Sequence, residues 1–190
     1  MQTVIIGGSF NPMHIGHLFL AEEVLVQFAC KRVIFVPSHS SAHKRDHTSV
    51  SPEERLFMVN LAVEGLDWIT VDDCEIERGG VSYSIDTIRH FENTYSWKEK
   101  PGFVIGDDLV ADFHHWKEYE TLLNKVVIIV AHRMYKEKVN VPFPHHYIDN
   151  VLIPISSSEI RDRIREGNAY RFLLPEKVYE HIRANNLYVV

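Results

Sequence analysis

A chain of 190 residues, 45% hydrophobic and 24% charged, can bury one sizeable core, and a single domain over residues 1–190 is expected. The net charge of −6 and the absence of any apolar run of about 18 residues argue against nucleic acid and membrane as partners. Cys30 and Cys74 have no second Cys or His at ligand spacing, and Met1 leads straight into a β-branched run, so a reducing cytoplasm is the expected compartment.

Taken in order, the apolar runs alternate in type. The stretches TVII (3–6), RVIFV (32–36), WITV (68–71), FVI (103–105) and VVIIVA (126–131) are short, rich in Val and Ile and continuously apolar, as strands buried on both faces of a parallel sheet are. Helical spacing appears between them. Leu18, Ala21, Leu25 and Phe28 share one face, and Leu56, Val59, Leu61 and Val63 fall in a helix opened by Ser51 as N-cap with Pro52 at its first position. Ile85, Ile88 and Phe91 mark a third. The pattern predicts an α/β fold with a doubly wound, mainly parallel sheet, helices on both faces and a helical C-terminal segment. In such a sheet the ligand site is built from the segments that follow the strands.

Four of those segments are unusual. GGSFNPMHIGH (7–17) passes from strand to helix through Gly7 and Gly8, which allow a sharp turn and close backbone approach, and a helix N-terminus there attracts an anion. His14 and His17, one turn apart, can face one phosphate. PSHSSAHKRDH (37–47) reads as a solvated polar loop; the spacing of His39, His43 and His47 would suit a metal only on a helix, and Lys44 is better read as a phosphate contact.

IGDDLVADFHHW (105–116) follows a strand with Gly106 and two acids, Asp107 and Asp108. These can take ribose hydroxyls or magnesium, or cap a helix. Phe113 and Trp116 can form core or a stacking wall for a flat ring. In ISSSEIRDRIREG (155–167), Ser156 with Glu159 fits a capping box. Three serines exceed what a cap needs, and with Arg161 they make a second anion cradle.

These segments carry a family resemblance. GGSFNPMHIGH resembles the GG(T/S)F(D/N)PxHxGH signature of the nucleotidyltransferase α/β-phosphodiesterase superfamily, and ISSSEIR its ISSTxxR signature. Within it the chain is similar from end to end to the bacterial nicotinate-nucleotide adenylyltransferases, through CEIERGGVSYSIDTI (74–88), IGDDLVADFHHWKEYETLL and LLPEKVYEHIRANNLY. Ser9 and Asn11 replace the commoner Thr and Asp, and Ser41-Ala42 stands where the family often has Pro-Pro.

The resemblance implies a Rossmann-like enzyme that joins ATP to nicotinate mononucleotide, giving deamido-NAD and pyrophosphate. It implies that His14, His17, Lys44 and Arg161 act in catalysis. ATP would meet Gly7, Gly8, Ser9, Phe10, His14, His17, Gly106, Asp108, Ile155, Ser156, Ser157 and Arg161. Nicotinate mononucleotide would meet Asn11, Lys44, Ser82, Tyr83, Thr87, Asp108 and Trp116. Mg2+ would arrive with ATP, held by phosphate and water rather than by a protein metal site. A related transferase acting on nicotinamide mononucleotide or phosphopantetheine, or a non-catalytic nucleotide sensor, is the alternative, and a homo-oligomer is left open.

Overall fold

The computed structural model describes residues 1–42, 50–95 and 97–189. Its main sheet has six strands, all paired in parallel: β1 (Thr3–Gly8), β2 (Arg32–Pro37), β4 (Ile69–Val71), β6 (Gly102–Gly106), β7 (Val127–Ala131) and β8 (His146–Ile148). A separate two-stranded ladder joins β3 (Ser40–Ser41) to β5 (Val81–Ser82). The five expected strands form within a residue or two of their expected bounds. β8 and the small ladder were not foreseen, because PHHYID and the serine-rich segments contain no run of β-branched residues.

The spatial order β4-β2-β1-β6-β7-β8 winds outward in both directions from β1 and β6. Side chains alternate across the sheet, which explains the continuous apolarity of the strands. Val4, Ile6, Val33, Phe35, Val104 and Ile129 enter one core layer, while Ile5, Ile34, Val36, Phe103, Ile105 and Ile128 enter the other.

The first layer is closed by α1 (Ile15–Gln27), α2 (Pro52–Val63), α6 (Ser157–Arg165) and α7 (Glu176–Ala184), through Ala21, Val24, Met58, Val59, Ile160, Ile164, Val178 and Ile182. The second is closed by α3 (Cys74–Arg78), α4 (Ser84–Thr94) and α5 (Tyr119–Lys125), with Ile85, Ile88, Phe91 and Leu122 inside. The inward faces of α1 and α2 are therefore rotated slightly from those read in the sequence: Leu18, Leu25, Phe28, Leu56, Leu61 and Val63 are only half-buried, and Val24, Met58 and Ala62 take the centre. Ser51 caps α2 as expected, accepting from Glu54 N–H at 3.2 Å, with Pro52 following. No described helix is long and apolar enough to cross a membrane.

Candidate active site

β1 and β6 part company before they end. Their register stops at Ile6 opposite Val104, whereas β1 continues beside β2 as far as Gly8 opposite Pro37. The gap opens at the carboxyl ends of the two central strands, where a doubly wound sheet binds its ligand. A cavity of about 290 Å³ fills it, lined from β1, β6, the starts of α1 and α6, the segment after β7, and the short elements near Ser82 and Trp116.

At one end of this cavity two helices converge. A Cβ on Gly7 would meet nothing within 4 Å, so this glycine leaves open space over the strand end. Neither Gly7 nor Gly8 makes the turn expected of it; both are in the strand, and the reversal falls at Phe10, whose φ is 46°. α1 then starts with His14 as N-cap, and α6 with Ser156, whose hydroxyl accepts from Glu159 N–H at 3.1 Å. Only this half of the expected capping box forms, because the Glu159 carboxylate turns to Arg163 at 2.9 Å.

The two starts are tied directly. Ser157 Oγ donates to Pro12 O at 2.9 Å, and Arg161 donates to Asn11 O at 2.7 Å. Free N–H groups, hydroxyls and a guanidinium thus converge on one space, an arrangement that suits a polyphosphate.

The two histidines differ. Their rings stack with centroids 3.6 Å apart. His17 Nδ1 accepts from His14 N–H at 3.2 Å, which places the proton of the neutral ring on Nε2. His14 is buried, and that burial, with the Arg133 guanidinium nearby, lowers its pKa to about 4. It is therefore neutral at pH 7 in the free protein and enters the site as a polar ring rather than a cation. Its buried Nδ1 has no partner among the described residues.

Adjacent acids separate in function. Asp107 is buried and accepts from the N–H groups of Arg133, Met134 and Tyr135 at 2.9 to 3.2 Å, which fixes the segment leaving β7. It is neither a ribose contact nor a helix cap. Asp108, expected at both nucleotides, does not border the cavity; it lies behind Gly106, 3.5 Å from Arg133, with Oδ1 buried and unpartnered among the described residues. A Cβ on Gly106 would collide with Asp108 Oδ1 and crowd Arg133, so the glycine permits this close approach.

The other end is a hydrogen-bonded pocket. Trp116 packs on Phe113 at 4.9 Å and borders the cavity, but Phe113 is fully buried, so the expected stacking wall reduces to Trp116. Glu75 and Thr87 are buried together, with Thr87 Oγ1 donating to Glu75 and accepting from Arg78 at 3.2 Å. Burial pushes the Glu75 carboxyl up, against hydrogen bonds from Thr87 and Ser82 and the charge of Arg78. Thr87 borders the cavity as expected, with its O–H donated to Glu75 rather than held free for a ligand.

Two further expected acceptor contacts are corrected. Asn11 is buried beneath the turn, accepting from Tyr188 O–H at 2.6 Å, and does not border the cavity. Tyr83 also stays off the cavity wall; it precedes α4, with Lys117 Nζ 4.8 Å from its ring. Gly7, Gly8, Ser9, Phe10, His14, His17, Ser82, Thr87, Gly106, Trp116, Ile155, Ser156, Ser157 and Arg161 all border the cavity. Lys44, with His43 and His47, lies outside the described residues, and His39 Nδ1 is 3.0 Å from Gly80 O. Arg133 and Glu75 were missed, although Arg133 sits two residues beyond a strand's carboxyl end, where the fold rule points.

Residues 5–163 match the cytidylyltransferase-like family. The chain is 46% identical to a probable nicotinate-nucleotide adenylyltransferase of Borreliella burgdorferi, covering 100% of this chain and 97% of that protein. It is 33% identical to a protein of the same name from Treponema pallidum, covering 99% of each. A solved structure of Plasmodium falciparum nicotinic acid mononucleotide adenylyltransferase complexed with NaAD shares the fold at a TM-score of 0.77 and 20% identity, over 99% of this chain and 98% of that one.

Proposed function

The chain belongs to the cytidylyltransferase-like family and, within it, to the nicotinate-nucleotide adenylyltransferases, and from this premise we propose how its cavity transfers the adenylyl group of ATP to nicotinate mononucleotide. The observation that carries the reading is the pair of helix starts, α1 and α6, bonded together through Ser157–Pro12 and Arg161–Asn11 and facing a pocket that holds Trp116.

A phosphate oxygen of the mononucleotide attacks the α-phosphorus of ATP; a new P–O bond forms as the bond to pyrophosphate breaks. That oxygen is already ionised at neutral pH, so no strong general base is required, and the rate depends on alignment and charge neutralisation. His17 Nε2–H donates to the α-phosphate, while Arg161 and the serines at the start of α6 hold the β- and γ-phosphates. Arg133 adds positive charge from the segment after β7. Asp108 stands behind that segment, 3.5 Å from Arg133, and would reach a ribose hydroxyl only by moving toward the cavity it does not line. Trp116 stacks on the pyridine ring.

Magnesium enters as part of the nucleotide substrate. The cavity wall at the helix starts carries imidazole, hydroxyl and guanidinium groups, and its one described carboxylate, Glu75, is hydrogen-bonded at the opposite end. Such a donor set fits a cation bound to phosphate and water better than one caged by protein.

Pyrophosphate release from ATP with nicotinate mononucleotide, compared with nicotinamide mononucleotide and phosphopantetheine, tests the reading. Turnover should require the pyridine nucleotide, with nicotinate used at least about tenfold better than the amide, a difference of about 1.4 kcal/mol. Preference for phosphopantetheine, or no turnover with any acceptor, would overturn it.

A further inference from the structure

The catalytic reading leaves Arg55 without a part. It lies in the first turns of α2, is only 4% exposed and does not border the cavity. Its guanidinium spans two loops: Nη1 donates to Ser9 O at 2.6 Å, and Nη2 donates to His39 O at 2.8 Å. Each loop belongs to a different half of the site. Ser9 lies in the turn that leads from β1 to His14 and His17. His39 donates its N–H to Ser82 Oγ at 3.0 Å and precedes β3, whose pairing with β5 sets Ser41 opposite Ser82 on the acceptor side.

We propose that Arg55 is a positioning residue that fixes the distance between the ATP half and the acceptor half of the site. A planar guanidinium can direct two N–H groups at two carbonyls at a set angle and spacing, whereas a lysine ammonium offers one compact charge with no fixed fork. Each half keeps its own ligand contacts when the strut is lost. What changes is the alignment of the attacking phosphate oxygen with the α-phosphorus, so the loss falls on kcat more than on either KM. Misplacement by about 1 Å is enough to cost about 10²-fold in rate.

The proposal rests on the adenylyl-transfer reading, and its test separates the two. In Arg55→Ala, kcat is expected to fall about 10²-fold with both KM values within about threefold of wild type, and in Arg55→Lys by about tenfold. Millimolar guanidinium chloride, but not sodium chloride, should restore part of the kcat of Arg55→Ala. Ser82→Ala, which cuts the same strut one contact further on, should be non-additive with Arg55→Lys.

A substrate-free readout is amide hydrogen exchange in Arg55→Lys, expected to quicken at 9–10 and 38–42 while α4 and β7 keep wild-type protection. Unchanged kcat in a folded variant, a kcat loss matched by the unfolded fraction, full additivity with Ser82→Ala, or unchanged exchange in both loops would each overturn the proposal. If the wild type fails to use nicotinate mononucleotide, the functional reading fails, and the exchange measurement still decides the role of Arg55.

Discussion

The two ends of the cavity are built by different means. The phosphate end comes from two contiguous motifs, 7–17 and 155–161, each running from an extended segment into a helix start, and it presents donors with few acceptors. The acceptor end comes from short pieces, among them a five-residue helix, a two-residue strand and a 3-10 turn, joined by the network of Glu75, Thr87 and Arg78. Recognition of a polyphosphate needs little more than oriented N–H groups and positive charge, which backbone geometry supplies locally. Recognition of a substituted ring needs particular side chains held at particular angles, and these must be fixed by tertiary contacts.

If this division holds, substitutions at the phosphate end should act on rate or ATP, and those at the acceptor end on the mononucleotide. The largest effect is expected for His17→Ala, which removes a donor aimed at developing charge: turnover should fall about 10²–10³-fold, about 2.7–4 kcal/mol, with the KM for nicotinate mononucleotide little changed. Steady-state kinetics with each substrate varied checks this. A KM effect confined to the mononucleotide would move His17 to the other end.

His14 affects stability next. It loses its proton at about 4 in the folded chain against 6.5 for the ordinary side chain, so between these values the unfolded chain binds more protons. The contribution is fully present above pH 6.5 and lost as pH falls toward 4, to a total of about 3 kcal/mol. Denaturant unfolding at stepped pH should show that slope, and His14→Gln should flatten it.

Trp116→Ala should raise the KM for the mononucleotide about tenfold and leave that for ATP nearly unchanged, because it removes a stacking face from one ring alone. The smallest contrast lies on α6. Arg161→Lys keeps charge but loses the fork that reaches Asn11 O and Ser158 Oγ, and should raise the KM for ATP about fivefold. Arg163→Lys, whose partners are Glu159 and Ala169 O on the surface, should be silent in both kinetic constants.

The sheet and the phosphate end were legible in sequence because periodicity and short motifs report local geometry. The acceptor end was legible only in part. SYSIDT pointed to the right place, and Ser82 and Thr87 border the cavity, yet Tyr83 does not and the Thr87 O–H is given to Glu75, since which of several adjacent polar groups reaches a ligand depends on what packs behind them. Asp107 and Asp108 make the same point one residue apart: one clasps three backbone N–H groups and the other remains beside the site. Arg55 was invisible for a further reason. SPEER reads as an ordinary capped helix start, and the arginine reaches two backbone carbonyls, Ser9 O and His39 O, which have no sequence signature.

The bonds between the two helix starts also govern when the site can exist. Ser157 meets Pro12 across 145 positions, Arg161 meets Asn11 across 150, and Tyr188 meets Asn11 across 177. Contacts of such sequence separation form only after the intervening strands have been brought into place, and loop closure of that length slows their formation. During synthesis the first motif therefore waits, exposed and incomplete, until the segment carrying α6 has left the ribosome. Recovery of activity on refolding should trail recovery of helix and sheet, and a nascent chain stopped before residue 156 would carry most of the sheet while holding no phosphate site for nucleotide to occupy.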